Sequence, residues 1–326
     1  MDLMKAYYCT SYGPPGVLEL RDVPTPKPGA HQILVKVKAV PVTVGDCRIR
    51  GFRVPPSFQF TAKIALGFTR PRRPVLGRYF AGIVESIGKN VTQFNIGDNI
   101  FGSTGNKFGT YAEFVCVSEK SSVTTIPENM SFEDAAAVLW GNGTALHFLR
   151  KTNMNTKQHI LINGASGSVG LGAVQLGKYF GFMVTAVCSS RNIDLVKSVG
   201  ADHVIDYTQE DFTEHDGDFD IVFDTVGNHP VQKLMNVLKP AGLLLHIVAA
   251  PDVTKEIRKQ IKGTQKRFIG GTFTWNKEMI SFLKERIENN EVKPIVDSIY
   301  SFDEMVKAHY RVDSGRKTGD VIVTFT

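Results

Sequence analysis

Between Ile160 and Phe180 the chain reads as a short apolar run, the turn Asn163-Gly164-Ala165-Ser166-Gly167-Ser168-Val169-Gly170, and a helix that is apolar almost all round. That order, strand then glycine-rich turn then helix, is what lifts a glycine pattern above chance. Glycine permits the tight turn and lets the backbone approach a pyrophosphate, while the helix start offers NH groups and partial positive charge. The spacing, GxxGxxG, is looser than the strict GxGxxG fingerprint, so a purely structural turn is the competing reading.

The chain beyond the turn repeats its grammar. Apolar runs at Ile160 to Ile162, Val184 to Cys188, His203 to Ile205, Ile221 to Phe223, Leu243 to Val248 and Phe268 to Phe273 alternate with helical patterns. Runs apolar throughout suit strands covered on both faces, as in a doubly wound parallel sheet. The first third reads differently, with alternating strands such as Ile33 to Val40, turns rich in Pro and Gly, and few helical stretches. It predicts a partly open β structure. Pro127, Ser131 and Glu133-Asp134 mark a helix start with Ser131 as N-cap, and a domain boundary is expected there. A helix from Asn276 to Asn290 and a strand from Val321 to Phe325 returning to the first domain complete the pattern.

The end of the second strand of the repeat should select the dinucleotide, because an acid there pairs with a free ribose hydroxyl whereas Arg and small polar groups suit a 2′-phosphate. Here the strand ends Val187-Cys188-Ser189-Ser190-Arg191-Asn192, without Asp or Glu. NADPH is favoured over NADH, with Arg191 as an ordinary solvated residue the alternative.

Composition narrows the class. With 326 residues, 42% hydrophobic and 21% charged, the chain is an ordinary globular protein long enough for two domains. No apolar stretch approaches a membrane span, and residues 1–10 lack the pattern of a secretory signal, so a cytoplasmic location is expected. Cys9, Cys47, Cys116 and Cys188 are scattered singly, with no pair spaced for zinc or redox work. The net charge of +6 is concentrated: eight basic residues and no acid lie between Arg48 and Arg78.

The chain resembles the medium-chain dehydrogenase/reductase superfamily, in its zinc-independent quinone oxidoreductase-like branch. The resemblance covers almost all of it and rests on Met4-Lys5-Ala6, the run Val75 to Gly88 with Gly77, Gly82 and Gly88, Gly97-Asp98, Gly109-Thr110-Tyr111-Ala112-Glu113, Ala135-Ala136-Ala137 with Gly143-Thr144-Ala145, and Gly200-Ala201-Asp202. It implies an α/β fold: a GroES-like, partly open β-barrel catalytic domain, residues 1–127 and 276–326, around an inserted Rossmann doubly wound parallel sheet, residues 128–275, with the active site in the cleft between them.

Zinc-dependent relatives carry a ligand Cys where this chain has Thr43 ahead of Asp46, and Gly-His-Glu where it has Gly77-Arg78-Tyr79; the run of four cysteines for a structural zinc is missing. No zinc is therefore expected, and without that Lewis acid alcohol oxidation loses its mechanism. The resemblance implies instead hydride transfer from NADPH to a quinone or to the β-carbon of an enone. It points to Thr43, Tyr79 and Thr144 as catalytic candidates and to Gly164, Ala165, Ser166, Gly167, Ser168, Val169, Gly170, Ser189, Ser190, Arg191, Tyr207 and Lys317 as cofactor-binding. Buried structural roles compete for Thr43 and Tyr79, and a structural role is expected of Asp224. A homodimer pairing the sheets along Arg267 to Thr274 is the family expectation.

Phe52, Phe58, Phe60 and Phe68 interleave with the basic residues between Arg48 and Arg73. Aromatic packing with a solvated basic rim, a hydrophobic lid, and a surface for RNA or another polyanion are the alternatives, though no dedicated nucleic-acid motif is present. The second function class is accordingly an NADPH-binding sensor or RNA-binding protein with little catalysis.

Overall fold

The computed structural model describes residues 2–55, 59–153, 157–247 and 250–325. In chain order its elements are β1 (Leu3–Cys9), β2 (Leu18–Pro24), β3 (Gln32–Val42), α1 (Val44–Arg50), α2 (Gln59–Leu66), β4 (Tyr79–Ile87), β5 (Asn99–Ser103), β6 (Phe114–Ser118), β7 (Val123–Thr125) and α3 (Phe132–Leu149). Next come β8 (His159–Asn163), α4 (Ser168–Tyr179), β9 (Met183–Cys188), α5 (Ile193–Ser198), β10 (His203–Asp206), β11 (Phe219–Asp224), α6 (Val231–Asn236), β12 (Leu238–His246), α7 (Pro251–Ile261) and β13 (Arg267–Gly270). The chain closes with α8 (Lys277–Glu288), β14 (Val296–Ser301), α9 (Met305–Asp313) and β15 (Asp320–Thr324). No helix among the described residues is long and apolar enough to cross a membrane.

Two compact units form, Met1–Trp140 with Thr274–Thr326, and Gly141–Phe273. In the second, six parallel strands run in the order β10-β9-β8-β11-β12-β13. The order reverses between β8 and β11, which is where open α/β sheets place their ligands, outside the carboxyl ends. Ile160, Leu161, Ile162, Val222, Phe223, Leu244 and Leu245 are fully buried. Each such side chain contributes about 1.5–3 kcal/mol relative to exposure, which explains runs that are apolar without alternation. Val248, where the fifth apolar run was expected to end, lies outside the described residues.

In the first unit β3 is the spine, pairing antiparallel with β4, β6 and β15. Ile33, Val35, Val37, Val40 and Val42 point into the core from it. The C-terminal strand β15 returns to β3 as the sequence predicts, and β14 adds a parallel edge beside it.

The two compact units divide within the helix that Ser131 opens, between Trp140 and Gly141. The Ser131 hydroxyl does accept from the Asp134 amide at 3.1 Å. At Gly141, however, a Cβ would stand 2.2 Å from the Ser168 carbonyl oxygen, so the absence of a side chain lets the second half of α3 close on the start of α4. Of the alternatives for the basic-aromatic stretch, aromatic packing holds for one part of it and not for another. Phe52 packs on Tyr12 with ring centroids 4.7 Å apart, but none of the residues of α2 is buried. Packing does not account for Phe60 and Phe68; Phe58 lies outside the described residues.

Candidate active site

The glycines of the turn have three different reasons to be there. Gly164 sits at φ +80°, and a Cβ on it would meet Val226 Cγ2 at 2.5 Å and Thr225 Oγ1 at 2.7 Å. Gly170 packs α4 onto the turn itself, its missing Cβ lying 2.2 Å from the Gly164 oxygen. Gly167, the N-cap of α4, is different: a Cβ there would approach only the Gly164 oxygen, at 3.5 Å. No packing among the described residues needs that side to be bare. A bare, open N-cap at the start of a helix whose first amides have no intrahelical partner is the cradle a phosphate requires. Ala165, Ser168 and Val169 are buried and Ser166 half-buried around it.

Neighbouring strands hold the turn. The Ala165 amide donates to the Val187 carbonyl at 3.0 Å, and the Asn192 amide group to the Ser166 hydroxyl at 2.9 Å. Across the switch point Asp224 Oδ1 accepts from Asn163 Nδ2 at 2.9 Å and from the Val226 and Gly227 amides at 3.0 and 3.1 Å. Its Oδ2 lies 3.3 Å from His246 Nε2. Asp224 is thus the anchor beneath the turn, in keeping with a structural role. Burial lowers the His246 pKa, with Asp224 opposing.

At the end of β9, Ser189 is half-buried while Ser190 and Arg191 are exposed. The sequence reading missed Asp206, which ends the adjacent β10 and takes hydrogen bonds from Ser190 Oγ and from Thr208. These bonds hold its carboxyl below the usual range. An acid does stand beside the selectivity position, brought by the next strand rather than by β9. Tyr207, 60% exposed, donates its backbone amide to the Cys188 carbonyl at 3.1 Å. Thr144 is buried in α3, in the same unit.

In the first unit Thr43 and Tyr79 come together. Thr43 is the N-cap of α1, and its hydroxyl donates to Asp46 Oδ2 at 2.6 Å while accepting from the Asp46 amide at 3.2 Å. This capping box is written in the sequence as Thr43 three residues ahead of Asp46. It engages the one proton that Thr43 can offer. A Cβ on Gly45 would stand 3.3 Å from Thr43 Oγ1 and 3.7 Å from the Trp140 ring, and Trp140 lies 6.1 Å from the Tyr79 ring, centroid to centroid. Trp275 flanks the Tyr79 hydroxyl, so both tryptophans of the chain border this phenol. Burial drives the Tyr79 pKa up, with Arg78 opposing. Tyr79 is consequently a neutral donor at any physiological pH. Arg78 lies over the Phe108 ring at 4.5 Å.

A buried polar network behind Thr43 was not foreseen. Burial raises the Asp46 carboxyl, opposed by Thr43 and Arg78. The Tyr111 hydroxyl lies close enough to Asp46 to affect its titration, yet neither Tyr111 OH nor Asp46 Oδ1 completes a hydrogen bond of ordinary geometry. Further in, His309 Nδ1 faces Arg50 Nη1 at 3.0 Å. Because a guanidinium only donates, His309 must accept there and carry its proton on Nε2. Lys317, expected at the cofactor, belongs to this unit; its ammonium donates to the Gly319 carbonyl at 2.5 Å and burial lowers its pKa.

Among the described residues no group of three or more His, Cys, Asp or Glu side chains is placed to hold a metal.

Comparison with known proteins gives two family matches: an alcohol dehydrogenase GroES-like domain over residues 29–128 and a zinc-binding dehydrogenase domain over residues 199–323. The chain is similar to the 2-methylene-furan-3-one reductase of Solanum lycopersicum, 33% identical over 98% of this chain and 79% of that one. It is similar also to the chloroplastic NADPH-dependent alkenal/one oxidoreductase of Arabidopsis thaliana, 29% identical with the same coverage. Among solved structures, the quinone oxidoreductase from Coxiella burnetii superimposes with a TM-score of 0.87 at 29% identity, covering 99% of both chains.

Proposed function

The chain belongs to the medium-chain dehydrogenase/reductase superfamily, in its quinone oxidoreductase-like branch, and we propose from that premise that it is an NADPH-dependent, zinc-independent reductase of quinones or α,β-unsaturated carbonyls. The observation that carries the reading is the open N-cap at Gly167, set in a turn whose other two glycines are required by the protein's own packing.

When bound, NADPH supplies the hydride; the protein supplies position and electrostatics. In this reading the α4 amides and the Gly164 to Gly170 turn hold the pyrophosphate, Ser189, Ser190 and Arg191 the 2′-phosphate, and Tyr207 the adenine side, while Thr144 and Lys317 complete the cofactor's surroundings. Tyr79, neutral and flanked by indole rings, donates to the carbonyl oxygen as charge develops on it, which is where a preorganised donor lowers a barrier. Thr43 holds α1 and the Asp46 carboxyl in place. Asn163 and Asp224, at the switch point, fix the turn against which the cofactor lies.

The same reading includes a homodimer joined through β13, the last strand of its sheet.

The test of zinc independence is turnover after exhaustive dialysis against a chelator, followed as loss of nicotinamide absorbance with a panel of enals, enones and quinones. Unchanged rates support the reading. Activity lost on chelation and restored by zinc alone contradicts it.

A further inference from the structure

We propose that the segment from Gln59 to Arg73 docks this protein on an anionic phospholipid surface. Helix α2 has no buried residue. Phe60 and Ile64, four apart and therefore on one helix face, are 72% and 46% exposed, and Phe68 just beyond the helix is 60% exposed. Three large apolar side chains gathered in nine residues and left in water mark an interaction surface rather than a scatter of exposed apolar groups.

The chemistry around them restricts the partner. Lys63, Arg70, Arg72 and Arg73 are exposed in the same stretch, and no Asp or Glu occurs anywhere from Arg48 to Arg78. Arg53 pairs with Asp313 at 2.9 Å, and Arg70 stands 5.6 Å from the Tyr8 ring; Lys63, Arg72 and Arg73 are the exposed cations on which the test below turns. The partner is apolar in one layer and negatively charged in the next. A bilayer containing anionic lipid has that order: acyl chains to receive Phe60, Ile64 and Phe68, and headgroup phosphates and carboxylates to meet the cations. A second copy of the chain would bring like charge against like charge. A nucleic acid offers phosphates, but Ile64 has no π face to stack on a base, and the apolar groups lie along a helix rather than across the sheet platform that splays bases.

Vesicle co-sedimentation of the full chain tests this, with phosphatidylcholine vesicles and with vesicles that also contain phosphatidylserine. Binding is expected only to the second kind and is expected to fall with salt. The triple variant Lys63→Gln, Arg72→Gln, Arg73→Gln should weaken it about a hundredfold, since each cation near such a surface counts for roughly fivefold. A second variant, Phe60→Ser, Ile64→Ser, Phe68→Ser, should weaken it comparably, with circular dichroism confirming that both variants fold. Equal binding to the two kinds of vesicle, no binding to either, or binding that survives both triple changes overturns the proposal. So does salt-sensitive binding to single-stranded RNA that is lost in the cation variant and kept in the apolar one, which assigns the surface to nucleic acid. Concentration-dependent self-association abolished by the apolar variant, without vesicle binding, assigns it to a second copy and overturns it equally.

Discussion

The Thr43 hydroxyl donates to Asp46 at 2.6 Å and accepts from the Asp46 amide at 3.2 Å, so the residue standing where zinc-dependent relatives carry a ligand is closed into the first turn of its own helix. Thr43→Val should lose the cap and leave a buried carboxylate oxygen with one partner fewer. A missing cap costs about 1 kcal/mol; Asp46 Oδ2 keeps its bond from the Thr43 amide at 3.1 Å, so the lost hydroxyl bond to it adds a further ~1 kcal/mol. Denaturant unfolding should show that loss, whereas Thr43→Ser should show little of it.

Tyr79→Phe separates chemistry from packing. The ring stays between the indoles and only the phenolic hydroxyl goes, so thermal stability should change little. If Tyr79 meets the developing oxyanion, kcat should fall by about a hundredfold. A kcat within twofold of the parent removes Tyr79 from the reaction.

Two glycine substitutions in one turn should fail in opposite ways. Gly170→Ala drives a methyl to 2.2 Å from the Gly164 oxygen, and overpacking of that kind costs about 1–3 kcal/mol. Gly167→Ala meets nothing closer than 3.5 Å, so its stability should stay within ~0.5 kcal/mol of the parent. Its dinucleotide affinity should nevertheless fall, because the methyl occupies the space left for phosphate. Calorimetric titration beside thermal melts reads both quantities.

Selectivity between dinucleotides should respond to charge at the ends of β9 and β10. Arg191→Ala should weaken NADPH and leave NADH almost unchanged. Asp206→Asn removes the carboxylate bonded to Ser190 and should strengthen NADPH for the same electrostatic reason. Equal effects on both dinucleotides would place the 2′-phosphate elsewhere.

His309 should impose an acid limit on stability. Burial, aided by Arg50, holds its pKa well below the ordinary 6.5. A base with a depressed folded pKa stays neutral in the native state while the unfolded chain takes up a proton, so stability is full above about 6.5 and is lost as pH falls from there toward the folded value. His309→Gln should flatten the fall of unfolding free energy with decreasing pH over that window, whatever its effect at neutral pH.

Much of this was legible in the sequence because it is local. The strand, turn and helix from Ile160 onward come from apolar runs and glycine spacing; the Thr43–Asp46 box is equally local, two residues three apart, yet Thr43 is read in the sequence as a site residue rather than as a cap. The Ser190–Asp206 contact was not legible, because it depends on β9 and β10 lying side by side. Nor was the group of Asp46, Tyr111, Arg50 and His309: Asp46 and Arg50 share α1, but Tyr111 and His309 come to them from distant parts of the chain. The place within α3 where the two compact units divide is not legible either, because a continuous helix carries no boundary signal. The exposure of Phe60 and Phe68 escaped for the converse reason, since aromatic residues are usually inside.

The central claim is hydride transfer from a nicotinamide to an activated acceptor, and isotopic labelling tests it most directly. Reaction of NADPH deuterated at C4 with an α,β-unsaturated ketone should place the label on the β-carbon of the saturated product, read by mass spectrometry and NMR, with a proton from solvent on the α-carbon. Label on the carbonyl carbon, or cofactor consumed with no label in any product, would contradict the account.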